Sequence, residues 1–166
     1  MTVELRLPLP APLAGHVLRA ATVDDVPAVV ALLSDDPISA SRGDRARPED
    51  MAAYRRGFGE IDADPANVLL VLEHPDDGAV ATMQLTLIPG MARAGAARLQ
   101  VEAVRVRSDR RSGGLGAAMM QWVIQVARDT GAGLIQLTSD AARADAHRFY
   151  ERLGFAPSHV GFKYRL

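Results

Sequence analysis

Cysteine is missing from the 166 residues, and lysine nearly so, Lys163 being the only one. The chain therefore builds no disulfide, no thiolate metal site and no cysteine nucleophile. Its positive charge is almost entirely arginine and is balanced to a formal net charge of −1. That leaves no broad basic field of the kind that binds nucleic acid. The four histidines, His16, His74, His147 and His159, are scattered without ligand spacing and make no metal site. No apolar run approaches the roughly 20 residues of a membrane span. The N-terminus lacks the basic region and long apolar core of a secretory signal. A cytoplasmic protein with no membrane or nucleic-acid partner is the expectation.

What is present suits one globular domain: 48% of residues are hydrophobic in a chain long enough to bury a real core. Residues 1–15 carry Pro8, Pro10 and Pro12 and read as a tail or an extra edge strand over Val3, Leu5 and Leu7. Residues 16–166 read as a single domain. Val17–Ala20 is the first core strand. Thr22 caps a helix with Val26, Val29, Val30 and Leu33 on one face, and Asp24 and Asp25 suit its first turn. The polar stretch from Ser34 to Pro48 is broken by Pro37 and Gly43, and a second helix starts near Pro48. Asn67–Glu73 and Ala79–Ile88 read as strands joined through His74-Pro75-Asp76-Asp77-Gly78, an antiparallel hairpin.

The stretch Gln100–Gly116, QVEAVRVRSDRRSGGLG, organises the rest. Val101, Ala103, Val104 and Val106 form a β-type run. Arginines and Gly113, Gly114 and Gly116 break it. Leu115, Met119, Trp122, Val123, Val126 and Ala127 then repeat at helical spacing. A strand, a basic glycine turn and a helix start together present backbone N–H groups to an anion, and Arg110 and Arg111 add forked donors for phosphate. The P-loop pattern GxxxxGK[ST] and the dinucleotide pattern GxGxxG are both absent. What remains is Arg111-x-x-Gly114-x-Gly116.

That pattern resembles the acetyl-CoA signature of the GNAT superfamily of N-acetyltransferases. Ala146–Phe155, AHRFYERLGF, resembles the superfamily's second signature, and the LTSD before this helix and the SHVGFK after it resemble a bacterial subgroup. The resemblance spans nearly the whole chain. It implies a mixed, mostly antiparallel α/β sheet of six or seven strands with about four helices; Phe155, Val160, Phe162, Tyr164 and Leu166 themselves read as a terminal antiparallel strand. It implies acetyl-CoA as cosubstrate, with the pyrophosphate on Arg111, Ser112, Gly113, Gly114, Leu115, Gly116 and Ala117. The pantetheine would lie on the backbone of Val104, Arg105 and Val106, beside a bulge that splays this strand from the next. Tyr150 matches the family's general acid, and a phenol, with an ordinary pKa of about 10, has a proton to give at neutral pH. Glu102 is the matching base or water relay; a carboxylate, with an ordinary pKa near 4.3, is a weak base without burial or a relay. His147 and His159 are the alternatives. Two departures stand out: Ser112 occupies a position often held by glycine, and Arg143 one often held by a cofactor-binding asparagine, from which an arginine can reach phosphate.

The helix pair before Asn67 often closes over the acceptor in this superfamily, which makes Asp35, Asp36, Asp44, Glu49 and Tyr54 candidate contacts. The resulting expectation is transfer of acetyl from acetyl-CoA to a primary amine of a small molecule, by direct attack. A protein or peptide acetyltransferase is the alternative, followed by a non-catalytic acetyl-CoA sensor. A homodimer is expected from the way relatives pair.

Overall fold

The structure, a computed structural model, describes residues 4–41, 43, 45–164 and 166. Six strands lie side by side in chain order: β1 (Ala11–Leu13), β2 (His16–Ala20), β3 (Asn67–His74), β4 (Gly78–Ile88), β5 (Arg98–Val106) and β6 (Leu134–Leu137). All neighbours are antiparallel except β5 and β6, which run parallel. The helices are α1 (Val26–Ser34), α2 (Pro37–Ser41), α3 (Met51–Ala63), the single turn α4 (Ala92–Gly95), α5 (Leu115–Asp129) and α6 (Ala144–Arg152).

The apolar spacing of the helices decides which face of the sheet each covers. On one face Val26, Val29 and Val30 of α1 and Phe58 of α3 pack against Val71. On the other, Leu115, Met119, Met120, Val123, Val126 and Ala127 of α5 pack against Leu70, Leu72, Met83, Leu85 and Leu99. Each valine, leucine, methionine or phenylalanine among them contributes about 1.5–3 kcal/mol when taken from water, so the sheet is fixed from both faces. The candidate site lies where β5 leaves this double cover.

Two expectations are corrected. The extra edge strand of residues 1–15 forms at Ala11–Leu13 and not over Leu5 and Leu7, Val3 lying outside the described residues: Leu5 is buried and its N–H donates to the Pro65 carbonyl at 2.7 Å. The terminal strand from Phe155 is also absent among the described residues. Phe155 packs against the core, but Val160, Phe162, Tyr164 and Leu166 stand exposed and β6 is the sheet edge. Among the described residues the alternating run does not pair with the open edge of β6.

Candidate active site

β5 parts from β6 halfway along. The two pair from Arg98 with Leu134 to Val101 with Leu137, and no further. On its other side β5 stays paired with β4, but the register shifts between Thr82 and Gln84, which face Arg105 and Glu102. The extra residue is a bulge, and Ala103 takes the left-handed φ of 54° within it. From Glu102 to Val106 the side of β5 that faced β6 opens into a gap. This is the splay implied by the family resemblance.

The turn that follows is tied down at its base. Arg111 Nε donates to the Val106 carbonyl at 3.0 Å, and Nη2 reaches the Asp35 carbonyl at 3.1 Å and its carboxylate at 3.2 Å. The Ser108 N–H donates to the same Asp35 carboxylate at 2.7 Å. Asp35, at the end of α1, thus joins the acceptor-side helix to the turn. Ser112 sits at φ 65°, so a serine supplies the left-handed residue here. Gly114, the residue that caps α5, sits at φ 82°. Leu115, Gly116 and Ala117 form the first helical turn, whose N–H groups have no partner four residues back; the Ala118 N–H is the first to find one, on Gly114. An open cleft of about 350 Å³ runs along this turn, lined by Arg110, Arg111, Gly113, Leu115 and, from the β1–β2 corner, His16.

α6 brings Tyr150 beside the turn. Phe149 packs on Gly116, and Tyr150 meets Phe149 and Phe155 edge to face, with ring centres 5.0 and 5.8 Å away. Burial pushes the Tyr150 phenol above its ordinary pKa, while the Arg105 and Arg143 guanidiniums pull the other way. The phenol is protonated across the neutral range.

Those two arginines meet on α2. Arg143, at the start of α6, grips the Asp36 carboxylate with both terminal nitrogens, Nη2 to Oδ1 at 2.9 Å. Asp36 also accepts the N–H groups of Ile38 and Ser39, at 2.9 and 3.0 Å. Burial opposes its charge, but the Ser39 N–H, Arg143 and Arg105 prevail and hold the carboxyl below its usual range. Ser39 is buried, and its Oγ accepts from Arg105 Nη2 at 2.5 Å and from Arg143 Nη2 at 3.2 Å. Sequence reasoning missed Ser39 and α2 itself. The available signal was Asp36-Pro37, an N-cap followed by proline at a helix start.

The remaining candidates spread out. Glu102 is exposed at the bulge, opposite Gln84. Tyr54 lines a second, apolar cavity of about 200 Å³ between α1, α3 and the sheet, together with Val29, Val30, Phe58 and Ala103. Glu49 lies 3.7 Å from Arg47, and Asp44 lies outside the described residues. His147 Nε2 bonds the Asp140 carbonyl at 2.8 Å, and His159 bonds the Ser158 hydroxyl. His16, which lines the cleft, meets His74 with ring centres 5.0 Å apart and the rings tilted by 58°. Among the described residues, no helix is long and apolar enough to cross a membrane.

Comparison with known proteins agrees with this geometry. The model of the acetyltransferase (GNAT) family matches residues 27–155. The aminoalkylphosphonate N-acetyltransferase of Salmonella typhimurium is 30% identical over 146 residues, 87% of this chain and 88% of that protein. A crystal structure described as a transcriptional regulator from Bacillus halodurans superposes with a TM-score of 0.85 at 37% identity, covering 91% of this chain and 99% of that one. The tRNA(Met) cytidine acetyltransferase of Aeropyrum pernix is 31% identical over 130 residues, which cover 72% of this chain but 18% of that protein.

Proposed function

Because the chain belongs to the acetyltransferase (GNAT) family, we propose that it moves the acetyl group of acetyl-CoA directly onto a primary amine of a small molecule. The observation that carries this reading is the gap along Glu102–Val106, followed by the first-turn N–H groups of α5, on which α6 packs through Phe149 next to Tyr150. An acyl-CoA fits such a gap: the pyrophosphate meets orphan N–H donors and Arg111, and the pantetheine amides meet β5 backbone that β6 leaves open.

The activated acyl group is the chemistry acetyl-CoA supplies. The chain's part is positioning and proton handling. The backbone of Val104, Arg105 and Val106 orients the thioester, and Arg111, Ser112, Gly113, Gly114, Leu115, Gly116 and Ala117 hold the phosphates. Glu102, exposed at the bulge, takes the ammonium proton through a water. Tyr150, kept protonated by burial, gives its proton to the departing sulfur. Among the described residues no serine–histidine–acid set forms: His74 lies 3.6 Å from the Asp77 carboxylate but has the Asp76 N–H and His16 as its other neighbours, and His159, which meets Ser158, has no carboxylate partner.

The acceptor named for the Salmonella relative, an aminoalkylphosphonate, is the first to try here. A thiol-release assay with acetyl-CoA against aminoalkylphosphonates, amino acids, polyamines, aminoglycosides and short peptides tests the reading. Turnover of small amines supports it. Turnover confined to peptides moves the activity to a protein acetyltransferase, and acetyl-CoA binding without any turnover leaves a sensor. We also propose a homodimer, in which the exposed run Val160, Phe162, Tyr164 and Leu166 of one copy lies along the open β6 edge of another. Sedimentation of the whole chain as a monomer at micromolar concentration removes it.

A further inference from the structure

We infer that the apolar cavity between α1, α3 and the sheet receives the body of the acceptor, so that the amine acetylated carries an uncharged alkyl or aryl group. This rests on the acyl-transfer reading above and adds to it the class of substrate.

A row of residues across the sheet joins the cavity to the proposed base. Leu69 pairs with Gln84, and Gln84 pairs with Glu102. Directly opposite residues point to the same face, with Cβ atoms about 4.5–5.5 Å apart. Leu69 and Gln84 line the cavity of about 200 Å³, and Ala103 of the bulge lines it with them. Glu102, next in the row, is exposed. An amine that hands its proton to Glu102 through a water therefore has the cavity beside it on the same face.

The two faces of the sheet separate the acceptor from the cofactor. Tyr54 and Leu69 pack with the α1 and α3 residues, whereas α5, Phe149 and Tyr150 pack together on the opposite face. Acetyl-CoA held by the first turn of α5 lies on that opposite side. The molecule that meets it across the bulge brings its bulk to the α1 and α3 side. The lining then sets the character of that bulk. Val29, Val30, Leu33, Phe58 and Ile61 are apolar, and among the described residues no charged side chain lines the cavity. A charged group would lose its hydration there without a partner, while an alkyl or aryl group gains by leaving water. Leu33, Tyr54, Ile61 and Ala103 are only half-buried, so the cavity is open to a ligand and not sealed in the core.

Gly57 keeps it wide. α3 holds two glycines in its interior, Gly57 and Gly59, each a weaker helix former than alanine. Among the described residues a Cβ on either meets no atom within 4 Å, so neither glycine is there for close packing. Gly57 lines the cavity, and Gly59 is exposed away from it. A side chain at 57 would enter the cavity, and one at 59 would enter solvent.

The test measures thiol release with acetyl-CoA for the n-alkylamines from ethylamine to hexylamine and for phenylethylamine, against 2-aminoethylphosphonate. In the wild type kcat/KM should rise about four-fold per methylene until the cavity is filled, the worth of a buried CH₂, and 2-aminoethylphosphonate should fall at the short end of the series. Gly57→Leu should level the series, and Gly57→Ala should shorten by about one carbon the longest amine that still gains. Gly59→Leu, on the same helix, should keep the series whole. Melting temperatures show whether each variant folds, and Gly57→Ala reads the cavity even if Gly57→Leu melts low. Hexanoyl-CoA with ethylamine should be no faster than acetyl-CoA. A flat series in the wild type, a preference for 2-aminoethylphosphonate, or a series as steep in Gly57→Leu as in the wild type overturns the inference while acyl transfer stands. So does a gain with hexanoyl-CoA, which would give the cavity to the acyl chain. Acetyl-CoA binding with no turnover of any amine defeats the acyl-transfer reading itself, and the acceptor cavity with it.

Discussion

A Cβ placed on Gly116 would stand 3.5 Å from Phe149 Cζ. A side chain on the first turn of α5 would therefore meet the ring beside Tyr150, which on the proposed function couples the phosphate end of the site to the acid end. An added methyl just fits, since 3.5 Å is ordinary contact. Two further methyls do not. Gly116→Ala should keep turnover within about three-fold, while Gly116→Val should push Phe149 back, carry Tyr150 with it and lower kcat more than ten-fold, because misplacement of about 1 Å costs about 10²-fold. Equal kinetics in the two variants would separate α6 from the turn.

Tyr150 is the second prediction. Tyr150→Phe removes the proton donor and keeps the ring, so kcat should fall by about 10²-fold with acetyl-CoA affinity little changed. The phenol's pKa is raised by burial and lowered by Arg105 and Arg143. A general acid works below its pKa, so the alkaline limb of the pH–rate profile should lie above the ordinary phenol range. Arg143→Gln removes one of the charges that lower it, and should move that limb further up. A limb that moves down, or normal turnover in Tyr150→Phe, rejects the assignment.

The third concerns the turn. Ser112 holds a left-handed φ of 65°, a conformation that costs an L-residue about 1 kcal/mol. Ser112→Gly should therefore raise or preserve stability and cofactor binding. Gly114, at φ 82°, should not accept a side chain: Gly114→Val should weaken acetyl-CoA binding more than Ser112→Val does. Arg111→Glu should lose the ties to Val106 and Asp35 and weaken acetyl-CoA in calorimetry.

Much of this was legible in the chain. The valine run of β5, the glycine turn and the apolar stripe of α5 each repeat at their own period, and each formed where it was expected. What escaped depends on partners far away. Asp35 meets Arg111 across 76 residues, and Asp36 meets Arg143 across 107. No single-sequence spacing brings those together. α2 is too short to show a period. The run Val160, Phe162, Tyr164 and Leu166 has a strand's alternation, but a strand must also be brought to an edge, and among the described residues this run is not brought to the open edge of β6. The bulge at Ala103 has no mark of its own in the residues; only the family resemblance pointed to it.

The Arg19–Asp25 pair gives a stability prediction. Arg19 bonds Asp25 at 2.7 and 2.9 Å, and the Thr22 N–H and hydroxyl bond it at 2.7 and 3.0 Å. The Arg19 bonds, opposed by burial, lower the Asp25 carboxyl to about 2. A depressed folded pKa stabilises above the unfolded value, near 3.9, and that stability is lost as pH falls through 2. The pair is partly open to solvent, so its share is about 1 kcal/mol, or about 2–4 °C in Tm. Asp25→Asn should melt lower than the wild type at pH 7, and the gap should close between pH 4 and pH 2. A constant gap would assign the loss to packing.

The base is the last prediction. An amine must lose a proton before it attacks, and Glu102 lies at the bulge, on the length of β5 that β6 leaves open. It is exposed, which suits transfer through a water more than direct contact with a buried ammonium. Glu102→Gln keeps the shape and the hydrogen-bonding end but has no basic oxygen to hold a proton. The acidic limb of kcat/KM against pH should flatten, and the rate at neutral pH should fall by about 10- to 100-fold, the usual worth of a positioned base. At high pH the ammonium gives up its proton without help, so the variant should recover toward the wild type there. That recovery distinguishes a lost base from a damaged site, which stays slow at every pH. An acidic limb left unchanged in Glu102→Gln would hand deprotonation to another group, and His147, half-buried on α6 and bonded to the Asp140 carbonyl, would be the next residue to replace.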